Sequence, residues 1–146
     1  MKRAMLITGG RDWVDEAAVI DDLQWLRAGD RLIVGDCRTG TDKIARENAP
    51  DGVRVEVYAA SSEILPPRRG QAVFSVADWD SDGKAAGPIR NARMARRLRE
   101  LMDEGCAVRA VGYPTHRSRG TLNCMAQVGS FGIEAEDHGC REKARP

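Results

Sequence analysis

The first residues that could do chemistry are Gly9-Gly10-Arg11-Asp12-Trp13, which follow a short apolar run at residues 4–8. Glycines allow backbone N–H groups to approach a phosphate closely, because no side chain stands in the way. An arginine can chelate that phosphate, and a tryptophan ring can stack on a nucleobase. The segment therefore predicts a phosphate-binding turn, with ligand contacts from Gly9, Gly10, Arg11, Asp12 and Trp13.

A second segment of the same kind follows the apolar run at residues 31–34. It reads Gly35-Asp36-Cys37-Arg38-Thr39-Gly40-Thr41-Asp42 and combines glycine, hydroxyl and arginine at the start of a predicted helix. Its predicted ligand-binding residues are Gly35, Arg38, Thr39, Gly40 and Asp42. Both segments could be plain strand-to-helix turns, but two neighbouring ones favour phosphate binding. Neither contains GxGxxG or GxxxxGKS/T, so neither ordinary dinucleotide binding nor a P-loop site is indicated.

Polar and small residues are concentrated a third time at residues 77–91, directly before another predicted helix. Trp79 could cover a base, and Lys84 and Arg90 could reach a phosphate or a ribose. The smaller residues predicted to contact the ligand are Gly87, Pro88 and Asn91. The alternative is a charged loop that caps the helix, with Trp79 in the core.

A fourth segment, at residues 113–121, places two arginines, a serine and a threonine before the next helix. The free N–H groups and the dipole of a helix start favour an anion. We therefore predict further ligand contacts from Arg119, Gly120 and Thr121. The four segments together point to one composite pocket, because ligands of open α/β sheets bind outside the carboxyl ends of the strands.

Charge limits the possible partners. Lysine and arginine total 23 against 22 acidic residues, a net charge of +1, so no whole-molecule field recruits nucleic acid or an anionic membrane. Arg90, Arg93 and Arg97 share a helix face that could bind a nucleic-acid backbone. Nearby Glu100, Asp103 and Glu104 instead favour a solvated face with balanced charge.

The four cysteines contain no CxxC pair and no regular spacing, which favours free thiols over disulfides. One zinc-ligand set can be written from His116, Cys124, His138 and Cys140. Its spacing matches no usual structural-zinc pattern. We therefore predict no metal and no resident cofactor.

Strand and helix signals alternate in the order β-α-β-α-β-(insertion)-α-β-α-β. Predicted strands cover residues 4–8, 31–34, 53–58, 107–112 and 133–136. Asp15 can cap the first helix and Gly29 end it, while Thr41 and Thr121 can open later helices. This alternation predicts an α/β fold, a Rossmann-like three-layer αβα arrangement with a mainly parallel sheet of about five strands.

One domain is expected over residues 1–139, with an insertion at about 60–76 and a tail at 140–146. Residues 66–70 are typical of a turn, and residues 71–76 could add a short strand. With 146 residues and 42% hydrophobic composition, the chain can bury a core without a disulfide or metal. The apolar runs are short and broken by charge, which predicts a soluble, cytoplasmic protein.

Four stretches of the sequence resemble the YspA-like branch of the SLOG superfamily. They are GGRDW, GDCRTGTD, ADWDSDGKAAGPIRNARM and RGTLNC. The superfamily includes the LOG phosphoribohydrolases, which release a base from a nucleoside monophosphate, and the DNA-uptake protein DprA. The resemblance covers nearly the whole chain outside residues 60–76 and the tail after 139. It implies a Rossmann-like fold, self-association into a homo-oligomer and a nucleotide-type ligand in the strand-end pocket.

The resemblance carries LOG catalysis over only in part. Arg90 matches the catalytic LOG arginine, with Asn91 and Met94 at matching positions. In the LOG PGGxGTxxE signature, Pro114 and Gly120-Thr121 are kept, but two residues are inserted and Cys124 replaces the glutamate. Glycosidic cleavage needs a carboxylate near the cationic sugar. The loop carboxylates that could serve are Asp12, Asp36, Asp42 and Asp78, with Asp36 as first choice.

The leading hypothesis is that the chain binds a nucleoside phosphate or a ligand related to ADP-ribose or NAD and hydrolyses it, most readily at the N-glycosidic bond. Arg11, Arg38 and Arg119 would hold phosphate, Trp79 or Trp13 would stack the base, and Arg90 would steady developing charge. The absent LOG glutamate favours the alternative of a non-catalytic sensor or sequestering protein. Single-stranded DNA binding of the DprA kind is a third possibility, disfavoured by neutral net charge.

Overall fold

The computed structural model describes residues 1–63, 65–116 and 118–139. The predicted tail at 140–146, with its Cys140, lies outside the described residues, as do Ile64 and Arg117. The zinc-ligand set written from the sequence is therefore only partly within the described chain. The four segments predicted to form the pocket are described in full except for Arg117.

All strands of the structure join one parallel sheet. They are β1 (Arg3–Gly9), β2 (Arg31–Gly35), β3 (Arg54–Ala59), β4 (Gln71–Ser75), β5 (Ala107–Tyr113) and β6 (Ala135–Asp137). Their order across the sheet is β4-β3-β2-β1-β5-β6, and every pairing is parallel. The predicted Rossmann-like α/β fold is confirmed. The inserted segment supplies the sixth strand, because β4 adds to the edge of β3.

Helices cover both faces of this sheet. They are α1 (Glu16–Leu23), α2 (Gly40–Asn48), α3 (Trp79–Asp82), α4 (Ala86–Asp103) and α5 (Arg119–Ser130), with a 3₁₀ turn at Gly83–Ala85 between α3 and α4. Within the described chain, no helix combines the length and apolar character needed to span a bilayer. The short helix α3 and the 3₁₀ turn were not predicted from the sequence.

The alternation of β1 side chains divides the core into two layers. Met5 and Ile7 face the layer that α1 and α2 cover, while Ala4 and Leu6 face the layer under α4 and α5. β1 is buried on both faces because it is a central strand, which explains its continuous apolar sequence. The stripe predicted on α4 packs as expected, with Met94, Leu98 and Leu101 buried.

Three helix boundaries differ from the predictions. Helix α5 begins at Arg119, so Thr121 lies inside it and does not open it. Asp15 caps α1 as predicted, but the helix ends at Leu23, and tight turns through Leu26 follow it well before Gly29. Helix α2 begins at Gly40 and not at Thr41, because Thr41 is fully buried and its N–H and hydroxyl both donate to Gly10 O. The contact between two loops therefore decides where α2 begins.

The strand order places a switch point beside β1. Connections from β1 run through α1 to β2 on one side, and the chain returns through α4 to β5 on the other side. The helices that follow these strands diverge there and leave a crevice at their carboxyl ends, where open α/β sheets bind ligands. The four predicted segments all border this end of the sheet.

Candidate functional site

A cavity of ≈ 120 Å³ lies at the carboxyl ends of β1, β2 and β5, and we call it the strand-end cavity. It brings together side chains and backbone from four separate parts of the chain. The residues predicted from the sequence that line it are Gly9, Gly10, Arg11, Asp42, Arg90, Asn91, Gly120 and Thr121. The composite pocket thus exists as a cavity, although a small one.

Direct hydrogen bonds join the loop after β1 to the loop after β2. Gly10 O accepts the Thr41 N–H at 3.2 Å, and the Thr39 hydroxyl donates to Arg11 O at 2.9 Å. Gly40 has a φ of 67°, and a Cβ there would collide with Gly10 O. Glycine is therefore needed at position 40 for this close packing of backbone on backbone, independently of any ligand.

A second set of bonds joins the β1 loop to the start of α5. The Thr115 hydroxyl donates to Asp12 at 2.7 Å, and the Thr115 N–H donates to Ser118 Oγ at 2.7 Å. Predicted as a ligand contact, Asp12 instead holds the loop after β5 in place. The turn at Gly10 and the start of α5 consequently form one continuous wall of the cavity.

The helices around the cavity begin without side-chain caps. Helices α2, α4 and α5 have no side-chain cap hydrogen bond, whereas Asp15 caps α1 and Asp78 caps α3. At α5 the candidate cap Ser118 is engaged with Thr115, so its hydroxyl does not satisfy the first turn. The α5 backbone N–H groups beside Gly120 and Thr121 remain free for an anion in the cavity.

Arg90 is fixed at the edge of the cavity by two partners. Its Nη1 donates to Asp36 at 2.8 Å, and its Nε donates to Asn91 Oδ1 at 3.1 Å. The Asn91 amide in turn donates to Gly120 O and to Asn123 Oδ1, both at 3.1 Å. No described residue accepts from the remaining Arg90 terminal nitrogen, so the guanidinium is positioned yet not saturated.

The carboxylate that lines the cavity is Asp42 and not Asp36. Asp36 pairs with Arg90 and also accepts the Ala60 N–H at 3.3 Å, outside the cavity lining. Asp42 is 7% exposed and accepts the Cys37 N–H at 3.2 Å. Burial raises the pKa of Asp42 despite the lowering influence of Arg90 and Arg46. Buried, charge-flanked carboxylates of this kind are concentrated at functional sites.

Gly35 and Arg46 contribute to the surroundings of the Asp42 carboxylate. A Cβ at Gly35 would lie 2.6 Å from Asp42 Oδ2 and 3.1 Å from Arg90 Nη1, so only glycine admits both side chains. Arg46 donates to Gly35 O at 2.8 Å and to Cys37 O at 2.7 Å. Burial lowers the pKa of Arg46, while the carboxylate of Asp42 raises it.

Cys124, which the resemblance aligns with the LOG glutamate, is a buried thiol. It is completely inaccessible and hydrogen-bonds Thr8, which does line the cavity. Burial raises the pKa of Cys124 to about 12, so the residue carries no charge at neutral pH. Cys124 therefore supplies no negative charge at this position.

Two predicted ligand contacts lie elsewhere. The Trp13 ring is 5% exposed, packs on Tyr113 in the core and donates its indole N–H to Asp15 O at 2.8 Å. Its large apolar ring is buried under the sheet end, so the prediction that it stacks on a base was wrong. Arg38 lines a separate cavity beside α2 and is not part of the strand-end lining. Its role in holding phosphate together with Arg11 stays a prediction.

Four other predicted residues are exposed and lie outside the strand-end lining. They are Lys84, Pro88, Arg119 and Trp79, and the Trp79 side chain is 50% exposed. Its ring contacts the backbone at the start of α4, since a Cβ on Gly87 would lie 3.4 Å from it. The alternative that Trp79 fills the core was wrong, and stacking of a base on it stays a prediction.

Four lining residues were not among the predicted site residues. They are Thr8, Cys37, Met94 and Ser118. Cys37 and Ser118 lie inside the segments that the sequence singled out, so their positions were available as a signal. Met94 lies in a stretch that carries the family resemblance, but its side chain was predicted only as part of the apolar stripe of α4. Thr8 is indistinguishable in the sequence from an ordinary strand residue.

The basic face of α4 is largely occupied by ion pairs. Arg90 pairs with Asp36 and Arg97 with Glu56, and Arg93 alone of the three lies exposed. Glu100 and Glu104 lie 4.0 Å from Arg97 and add only weakly to its pairing. In the described chain, no group of three or more side chains is arranged to hold a metal ion.

The sheet topology defines the class of the chain, and a comparison with known proteins defines its family. Its sheet order and site place it in the Rossmann-like α/β class. It is 31% identical over 141 residues to the Gene 61 protein of Mycobacterium phage D29, an alignment that covers 94% of this chain and 97% of that protein. The chain therefore belongs to the same family as this phage protein. No protein-family model and no solved structure matches it.

Proposed function

We propose that the protein is a SLOG-like nucleotide-binding protein that holds the phosphate of a nucleoside phosphate, or of a ligand related to ADP-ribose or NAD, in the strand-end cavity. One observation carries the proposal. The unsaturated guanidinium of Arg90, the exposed Arg11 and the uncapped start of α5 border the same cavity. Guanidinium and helix-start N–H groups are the donors that phosphate prefers in proteins.

The size of the cavity favours binding through one end of the ligand. Sites that enclose whole small molecules have volumes of roughly 300 Å³ or more, and the strand-end cavity is ≈ 120 Å³. It would therefore enclose the phosphate and leave the base outside, where the exposed Trp79 offers an aromatic surface. This arrangement distinguishes a phosphate-anchored ligand from a buried base.

Native mass spectrometry of freshly purified protein tests the binding directly. We expect a co-purifying nucleotide, or saturable binding when AMP, CMP, NAD and ADP-ribose are added one at a time. The Arg90→Gln variant should lose that binding, while Arg96→Gln, an exposed arginine of the same helix, should retain it. Equal binding by the two variants, or no binding by the native chain, would sink the proposal.

Hydrolysis of the N-glycosidic bond is the second candidate, and Asp42 is the observation that favours it. In this reaction a water oxygen bonds to the ribose C1′ and the C1′–N bond breaks. The electron pair of that bond stays on the base nitrogen, and the proton that the water gives up is transferred to the base. Asp42 is the carboxyl group in the cavity wall, and its raised pKa suits a group that exchanges protons. Asp36, committed to Arg90 and Ala60, would position Arg90 and would not itself react.

Chromatography of the same four compounds after incubation separates the candidates. Free base together with ribose 5-phosphate from AMP or CMP, or nicotinamide together with ADP-ribose from NAD, supports hydrolysis. Asp42→Asn should then abolish product while leaving AMP binding in place. Intact ligand recovered after denaturation of the complex would instead support a sensor or sequestering protein. Product formation that survives in Asp42→Asn would remove Asp42 from the mechanism.

Self-association and a cytoplasmic location follow from the resemblance and the composition as further proposals. Sedimentation velocity at several protein concentrations measures the oligomeric state. A single monomeric species throughout would contradict the proposed homo-oligomer.

A further inference from the structure

A second cavity, larger than the strand-end cavity, lies between α2 and residues 65–73. Its volume is ≈ 300 Å³, and we call it the insertion cavity because the inserted segment forms one wall. Four apolar residues contribute to its lining, namely Val57, Val73, Leu65 and Pro66. It shares no lining residue with the strand-end cavity, so it is a separate place in the fold.

Positive charge dominates the polar part of the insertion cavity. Its lining contains four cationic side chains, those of Arg38, Lys43, Arg46 and Arg68, against the single carboxylate of Glu47. Glu47 pairs with Arg68 at 3.1 Å. Among the described residues, Lys43 has no ion-pair partner. The side chains of the lining therefore have a formal net charge of +3.

The other charge pairing near the cavity is weak. Arg38 lies 3.7 Å from Glu63, outside the lining, and the two side chains are 64% and 86% exposed. Exposed pairs of this kind contribute little, because water screens them and both long side chains lose freedom. Arg38 can turn from Glu63 to a bound anion at small cost.

Arg46 forms the deep, basic side of the insertion cavity. Two of its nitrogens donate to the carbonyl groups Gly35 O and Cys37 O, and the nearby carboxylates of Asp42 and Asp36 compensate its charge only in part. Burial of this guanidinium lowers its pKa, so a bound anion nearby would stabilise the charged form. The same side chain is held rigidly by those two bonds, which prepares it for a ligand.

We propose that the insertion cavity is a second ligand site, for an organic phosphate whose apolar body is about the size of one aromatic ring. The apolar residues contact the ring of the ligand, and Lys43, Arg38 and Arg46 donate hydrogen bonds to its phosphate. A phosphate dianion matches the three surplus positive charges better than a carboxylate does. A volume of ≈ 300 Å³ lies at the lower end of the range for small-molecule sites. This site does not depend on the proposed function of the strand-end cavity.

Phenyl phosphate is a suitable probe, because it joins one ring to one phosphate. We expect its titration into ¹⁵N-labelled protein to produce saturable shifts in the backbone amide signals of Lys43, Gln71 and Val73. Inorganic phosphate and phenol, each with half of the probe, should bind at least about tenfold more weakly. Equal binding of inorganic phosphate would overturn the apolar part of the site.

The Lys43→Glu variant tests the location of the site. Lys43 is exposed on α2, so the variant is expected to fold, and reversal of its charge should weaken phenyl phosphate binding about tenfold. Arg96→Glu makes the same charge change on the exposed face of α4, away from both cavities, and should alter binding less than twofold.

Three outcomes would overturn the proposal. They are the absence of saturable shifts, shifts confined to the strand-end signals of Gly10 and Gly120, and equal weakening by Lys43→Glu and Arg96→Glu. The second outcome would assign phenyl phosphate to the strand-end cavity, and the third would attribute binding to net charge alone.

Discussion

Arg90 and Arg97 lie seven residues apart on one face of α4, yet they end in different kinds of environment. Arg97 joins a closed cluster on β3, where its Nε and Nη2 chelate Glu56 at 3.0 and 3.1 Å. Arg90 joins an open cluster at the strand ends, where one of its terminal nitrogens is left free toward a cavity. The two clusters use the same residue types for different purposes.

The closed cluster satisfies its carboxylate completely. Glu56 is 6% exposed and also accepts from Arg31 at 3.1 Å and from the Tyr58 hydroxyl at 2.8 Å. Burial and the hydrogen bond to Glu56 raise the pKa of Tyr58, so its hydroxyl keeps the proton that it donates. These contacts tie α4 to the sheet, and the cluster has the character of a structural brace.

The open cluster contains a desolvated carboxylate and an unsaturated guanidinium side by side. Asp42 accepts one backbone N–H, and its pKa is raised because burial outweighs the nearby arginines. In the closed cluster the charges are balanced by short contacts, whereas here the balance is incomplete. Incomplete satisfaction of buried polar groups next to a cavity is the feature that marks a binding site.

Removal of Glu56 should have the largest effect on stability. Glu56→Ala leaves Arg97 and Arg31 without their partner and should lower the free energy of unfolding by about 3 kcal/mol. The value lies at the low end for a buried pair because both arginines can turn to water. Urea unfolding measures it, and Glu100→Ala is the control, with a change within about 0.5 kcal/mol. A loss for Glu56→Ala as small as the control would show that the closed cluster is no brace.

Arg90 should matter for binding and much less for folding. If the strand-end cavity binds phosphate, Arg90→Lys should weaken AMP binding about a hundredfold, because the planar donor fork is lost. Isothermal titration of the variant measures this. The matched control is Arg97→Lys on the same helix face, which should leave AMP binding within about threefold. Equal losses in the two variants would break the distinction between the clusters.

Neutralising Asp42 should stabilise the protein near neutral pH. The pKa of Asp42 is raised on folding, so its protonated form favours the folded state, and the penalty appears as pH rises through the folded pKa. Asp42→Asn should therefore raise the free energy of unfolding at pH 7. At a pH below the unfolded value of 3.8 the gain should vanish. Thermal unfolding at the two pH values tests this sign, and Asp36→Asn, which breaks a pair, should destabilise instead.

The smallest expected effect is that of Arg11→Ala on AMP binding, and it tests which arginines belong to the strand-end cavity. Arg11 is exposed and lines the strand-end cavity, so Arg11→Ala should weaken AMP binding about threefold. Arg38→Ala should leave AMP binding unchanged, because Arg38 faces the insertion cavity. Titration calorimetry on both variants decides between one extended anion surface and two separate cavities. A larger loss for Arg38 than for Arg11 would favour one extended surface.

Local patterns predicted the fold because they are set by neighbouring residues. The apolar run at β1, the cap of α1 by Asp15 and the stripe of α4 depend on spacing along the chain, and the structure contains all three. The start of α2 was misplaced because it depends on Gly10 O, a group 31 residues from Thr41. Packing between loops overrode the local signal.

The candidate site was predictable as a set of segments but not as a set of side chains. The order of strands and helices brings every strand end to one edge, so Gly10, Arg90 and Gly120 were placed together correctly. The sequence did not predict the direction in which individual side chains point. Trp13 turns into the core and Arg38 turns toward α2, although each lies within a few residues of a side chain that lines the cavity.

For this protein, the sequence by itself determined the alternation of strands and helices and the four loops rich in polar residues. Both depend only on the order of residue types along neighbouring parts of the chain. Only the tertiary structure decided that Asp36 is bound to Arg90, that Asp42 faces the cavity and that Cys124 is buried behind Thr8. The reason is physical. Whether a charged group is paired, desolvated or free depends on residues far away in the chain, and that environment sets its pKa and its reactivity.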